Sequence, residues 1–177
     1  MTDERMLSKG ELLEALCASR DEVLAIVRTL SPERLERGRY ENGWNGRQIL
    51  AHLASIEWTY PRLIDIARDP TAGNDGESGA RADAEPPTRT MRGGNDAYND
   101  RQVAKRAHRS VADLMGEFEA NRAATIRAVE AADEQLFGRH IRSAGGVTGP
   151  LARVFYQVAI VHVLGHARDI ASPPQAT

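Results

Sequence analysis

Cysteine, lysine and long apolar runs are all scarce in this chain of 177 residues. With Cys17 alone no intrachain disulfide can close, which excludes a disulfide-stapled secreted scaffold and makes a reducing cytoplasm the expected compartment. The most apolar stretch, Val154 to Ala167, is interrupted by Gln157, His162, Gly165 and His166, and Met1 to Gly10 carries Asp3, Glu4, Arg5 and Lys9 where a signal peptide would be apolar. Neither a membrane span nor a secretory signal is expected. Surplus positive charge is lacking too: the formal net charge is -2, so nothing favours nucleic acid or an acidic membrane as a partner. The 21 arginines against only Lys9 and Lys105, together with abundant alanine, read as a base-composition bias. What is present is 41% hydrophobic and 27% charged residues, enough to fill and clothe one soluble globular domain spanning residues 1–177.

Four helical segments are expected, each with its own start or stop signal. Ser8 with Glu11 forms a capping box ahead of Leu13, Leu16, Val23, Val27 and Leu30, and Ser31-Pro32 ends that helix. Asn45 with Gln48 opens the second, stapled by Trp44 and Ile49. Its apolar face is Ile49, Leu53, Ile56, Tyr60 and Leu63, and Pro61 bends or breaks it. A third region, from Asp96 to about Ala132, restarts at Ser110 with Asp113 and turns Val111, Leu114, Phe118, Thr125 and Val129 inward. The fourth is capped at Thr148 with Pro150 in its first turn and stops at Ser172-Pro173-Pro174. Its stretch Val154 to Val161 has strand-like composition, but no partner strand or hairpin signal supports a sheet. Residues 69–95, with three prolines and five glycines, form a lid or a long crossover loop. An all-α four-helix bundle in which two successive helices run parallel follows.

Histidine carries the chemistry. His162 and His166 lie one turn apart on a single helical face, where two imidazoles chelate one divalent ion. His52 shares a face with Ile49, Ile56 and Leu63, so all three point inward and their ring nitrogens need partners. A metal about 2.0–2.1 Å from each nitrogen would satisfy them together. Taken singly, each is more often a hydrogen-bonded core histidine. His108 and His140 lie among arginines and are expected in solvent; Cys17 is expected to pack. Asp169 is a candidate for orienting an imidazole, or for a salt bridge, and Arg47, Arg153 and Arg168 are candidates for holding a substrate carboxylate. A zinc protease fits poorly, because no glutamate follows His162 to act as a general base.

Three segments together, Gly43-Trp44-Asn45-Gly46-Arg47-Gln48-Ile49-Leu50-Ala51-His52-Leu53, Ala97-Tyr98-Asn99-Asp100 and His162-Val163-Leu164-Gly165-His166-Ala167-Arg168-Asp169-Ile170, resemble the DinB-like family of four-helix bundles across most of the chain. The resemblance implies an up-down-down-up bundle with the crossover between its second and third helices, often dimeric. It also implies that His52, His162 and His166 bind a divalent metal, zinc or nickel. For the better understood members it implies thiol-dependent transferase or isomerase chemistry on a small-molecule substrate, with mycothiol, bacillithiol or glutathione as co-substrate. An acid often stands where this chain has Gln48. Two functions remain open at this level: a metal- and thiol-dependent enzyme acting on a small electrophile, or a non-catalytic bundle binding a small molecule or a partner, with a structural metal or none.

Overall fold

The structure, a computed structural model, describes residues 7–69 and 94–172. Helix α1 (Lys9–Arg28) leads through the short α2 (Pro32–Glu36) to α3 (Gly46–Glu57) and α4 (Pro61–Arg68). Helices α5 (Gly94–Lys105) and α6 (Val111–Ala131) follow. After a hairpin of β1 (His140–Arg142) and β2 (Thr148–Pro150), the last helical arm runs as α7 (Leu151–Phe155), a π-helical segment (Tyr156–Val161) and α8 (His162–Ala171). The four arms of the bundle are α1, α3 with α4, α6, and α7 with α8. Both α1 and α3 pack against α6 and α8, while α5 lies against α3. The expected loop over 69–95 falls outside the described residues except at its edges, where Asp69 caps α4 and Gly94 and Asn95 already belong to α5.

Capping chemistry explains where the helices begin. Ser8 with Glu11, Asn45 with Gln48 and Ser110 with Asp113 each form a reciprocal box that satisfies two amides otherwise left open in a first turn. Pro61 ends the expected second helix as a single rod: α3 stops at Glu57 and α4 restarts with Pro61 in its first turn, where a missing N–H costs nothing. The other ends of four helices are closed from afar by cations. Lys9 Nζ donates to the carbonyls of Glu130 and Ala132, both at 2.7 Å, Arg139 Nη1 to Ala67 at 3.0 Å and Arg47 Nη1 to Ala107 at 2.6 Å, and Arg34 donates to Ala171. Each places positive charge at a negative helix terminus.

Leu12, Leu16, Ile49, Leu53, Leu114, Phe118, Leu151 and Phe155 are fully buried and form the centre of the core. Each contributes about 1.5–3 kcal/mol relative to exposure. Two expectations need correction. The inner face of α1 is Leu12, Leu16, Ser19, Val23, Leu24 and Val27; Leu13 and Leu30 are only half-buried, because the face is centred on the polar Ser19, which the apolar stripe passed over. Thr148 does not cap the last helix. Residues 148–150 pair antiparallel with 140–142, the chain reverses through Gly146 at φ 85°, and the helix starts at Leu151. Gly145-Gly146 was therefore a hairpin signal.

Gly46 allows α2 and α3 to touch. A Cβ there would stand 3.2 Å from the Leu35 carbonyl oxygen and side chain, whereas one at Gly116, inside α6, would meet open space. Gly46→Ala is therefore expected to lower stability by about 1–3 kcal/mol. Gly116→Ala should raise it by about 0.5–1 kcal/mol. Urea denaturation of the two variants beside the parent protein checks both signs.

Candidate metal centre

His52 stands in the second turn of α3, and His162 and His166 open successive turns of α8. The structure brings the three together: one ring nitrogen from each lies within 4.8 Å of the other two. Ring centroids are 5.6 Å apart for His52 and His162, 5.3 Å for His52 and His166, and 4.6 Å for the α8 pair, all edge to face. His52 and His166 are buried and His162 is half-buried. Trp44 covers His52 with its ring 5.2 Å away and anchors its own Nε1 to Asp100 Oδ1 at 3.2 Å. Trp44 also lines an open pocket of about 300 Å³ with Gln48, Ala51, Asp100 and Val103.

Burial sets the protonation of the cluster. Desolvation first, then the neighbouring imidazoles, push His52 down to about 3. Desolvation and His166 push His162 down to about 4, against a backbone hydrogen bond at Val158. Both rings are thus neutral at physiological pH, the form that donates a lone pair to a metal. Nitrogens bound tetrahedrally to one ion at 2.0–2.1 Å stand about 3.3 Å from each other. The Nε2 atoms of His162 and His166 are 3.1 Å apart, so this pair already has chelating separation. Nδ1 of His52 is buried with no hydrogen-bond partner in the protein, so its ring has coordinating capacity that no protein group uses. The donor set and that unspent nitrogen fit a borderline-soft divalent ion.

The other sequence candidates lie outside the histidine cluster, although Arg47 and Gln48 line the pocket beside Trp44. His108 and His140 are exposed, as expected, and Cys17 is half-buried and unpaired. Asp169 is exposed, Arg168 pairs with Glu22 at 2.8 Å, and Arg47 is held by the Ala107 carbonyl and by Glu36 at 3.6 Å. Arg153 is exposed, and Gln48 serves the Asn45 capping box.

Sequence reasoning passed over a second buried cluster. Arg122 on α6 and Glu57 on α3 are fully buried, with Arg122 Nη2 donating to Glu57 Oε2 at 2.9 Å and Nε 2.8 Å from Oε1. Burial pushes the Glu57 carboxyl up to about 7, against the pull of Arg122. Since a guanidinium keeps its proton, the carboxylate is the form that neutralises it. The signal existed: Arg122 sits four residues after Phe118 and three before Thr125, and Glu57 four after Leu53 and three before Tyr60, each on an apolar stripe.

A sequence model of the DinB superfamily matches residues 15–170. Among solved structures, mycothiol-dependent maleylpyruvate isomerase superposes with a TM-score of 0.68 at 16% identity, covering 98% of this chain and 65% of that one. A histidine-to-alanine variant of the same enzyme gives the same values. YfiT from Bacillus subtilis, described as a probable metal-dependent hydrolase with an unusual four-helix bundle topology, gives 0.62 at 13% identity over 96% of this chain and 86% of its own. These likenesses establish the fold, and the chain spans about two thirds of the isomerase's length. No curated protein sequence matches it.

Neutral burial of His52 and His162 makes acid unfavourable to the metal-free fold at this site. In the unfolded chain each histidine takes a proton near its ordinary value of 6.5, whereas the folded protein refuses it until about 3 or 4. Below 6.5 the unfolded state therefore binds more protons, and stability falls as pH drops through that window. Glu57, raised to about 7, acts in the opposite direction over the same range, so the comparison with a variant isolates the histidines: urea midpoints of metal-free parent protein should change less favourably from pH 7 to pH 4.5 than those of His52→Leu. Equal slopes for parent and variant would contradict the assignment.

Proposed function

The chain belongs to the DinB superfamily, and on that footing we propose a divalent-metal-dependent enzyme in which His52, His162 and His166 hold zinc or nickel and a low-molecular-weight thiol serves as co-substrate toward a small electrophile. The observation that carries the reading is the three-imidazole cluster with the unpartnered Nδ1 of His52. What a divalent ion held by neutral imidazoles supplies is undiminished positive charge and a vacant position at which a thiol becomes more acidic. The protein's own contribution is to keep two of the rings unprotonated by burial and to space the α8 pair by one helical turn. Trp44 keeps water from one face of His52, and its indole forms part of the wall of the adjoining pocket.

In a transfer, the thiol sulfur bonds to the electrophilic carbon while its proton passes to solvent and the leaving group departs with the displaced electron pair. In an isomerisation, the carbon–sulfur bond that forms is broken again and the thiol is returned. The description of the isomerase as mycothiol-dependent supports this class, and that of YfiT as a probable metal-dependent hydrolase supports the metal alone. The absence of a glutamate after His162 weighs against a zinc-protease mechanism.

Metal analysis of untagged protein, followed by cobalt titration of variants, tests the ligands. His52→Ala, His162→Ala and His166→Ala should each lose most of the metal affinity, and His108→Ala and His140→Ala should keep it. Equal retention in all five ends the proposal. Titrating the cobalt form with mycothiol, bacillithiol and glutathione should perturb its visible spectrum with one of them and identify the thiol for turnover assays. A spectrum indifferent to all three, with no turnover dependent on the histidines, returns the non-catalytic bundle.

A further inference from the structure

Resting on the metal-binding reading, we infer that Arg122 is a positioning residue: its fork, together with the Tyr60 hydroxyl, holds the π-helical segment that turns His162 and His166 toward His52. Arg122 is fully buried on α6 and reaches every other arm of the bundle. Nη1 donates to the Leu16 carbonyl at 3.3 Å and to Ser19 Oγ at 2.9 Å on α1. Nη2 donates to Glu57 Oε2 on α3 at 2.9 Å and to the Ala159 carbonyl at 2.7 Å. Glu57 follows His52 by five residues on α3, and Ala159 precedes His162 by three. One planar group thus sets the distance between the two elements that carry the histidines.

Ala159 lies within the π segment, where the ordinary ladder of i to i−4 bonds is replaced by a wider turn. The preceding carbonyl, Val158, is taken by the buried Tyr60 hydroxyl at 2.6 Å. Side chains from outside the last arm therefore hold two successive carbonyls of the wide turn. A π turn absorbs one extra residue, which shifts the phase of everything after it by about 100°. A straight α-helix from Leu151 would bring Val161 and Gly165, both now exposed, to the face that His162 and His166 occupy. Two neighbours brace the same frame: Asn121 Nδ2 donates to the Ala54 carbonyl at 3.1 Å and Thr125 Oγ1 to the Glu57 carbonyl at 3.4 Å.

Removing Arg122 alone would strand Glu57 in the core, so the informative variant replaces both charges by apolar groups of similar size, Glu57→Leu with Arg122→Met, a change that buried ion pairs often tolerate. It should fold cooperatively with parental helix content, exchange the amides of residues 156–161 faster than parental protein, and bind cobalt about ten-fold or more weakly with an altered visible spectrum. Arg122→Lys restores charge without the fork and should keep the weakened affinity. Tyr60→Phe, the mildest change, should shift the spectrum in the same direction by a smaller amount. Parental cobalt affinity and spectrum in the double variant overturn the inference, as does full recovery with lysine. Failure of the parent protein itself to bind cobalt overturns the metal reading, and this inference with it.

Discussion

A guanidinium sealed inside a helical bundle is the constraint around which the rest of this fold is arranged. Arg122 has no exposure, and an ion without water is tolerable only when paired and hydrogen-bonded. Glu57 supplies the charge, and the carbonyls of Leu16 and Ala159 with the Ser19 hydroxyl supply the remaining acceptors. Those groups come from three different arms, so the bundle cannot alter the rotation of any one without leaving a buried polar atom unsatisfied. Apolar packing supplies the bulk of the stabilisation; the guanidinium fixes which of the many well-packed arrangements is adopted.

The histidine centre is built on the opposite electrostatic principle. Three rings of the same kind gather where water is scarce, and burial keeps those of His52 and His162 neutral. In one half of the core a charge is retained because an opposite charge lies against it; in the other, charge is suppressed and lone pairs are exposed to one another. The Nε2 contact across α8 is a hydrogen bond in one tautomer and two converging lone pairs in the other.

Much of this was legible in the sequence because it is local. Capping boxes at Ser8, Asn45 and Ser110 need only residues three apart, Pro61 acts on its own backbone, and the α8 pair is a matter of one helical turn. His52 was placed correctly because its face is otherwise apolar. The features that were missed depend on partners distant in the chain. Arg122 and Glu57 drew no attention in the sequence and become intelligible only as a pair 65 residues apart. The π segment has no compositional signature, since its wide turn is held by Tyr60 and Arg122 from other helices. The hairpin at 140–150 is three residues a side, too short for alternation to register.

Cations at the helix ends bear on how the molecule is assembled in time. Arg34 closes α8 across 137 residues, and Lys9 closes α6 across 121 and 123. Helical bundles usually owe fast folding to contacts that are near in sequence. Here α1 is tied to the end of α6 and α2 to the end of α8, so Lys9 has no partner until residues 130–132 are made, and Arg34 none until α8 is. These two helix ends are thereby closed only by contacts that span most of the bundle, rather than helix by helix as each emerges.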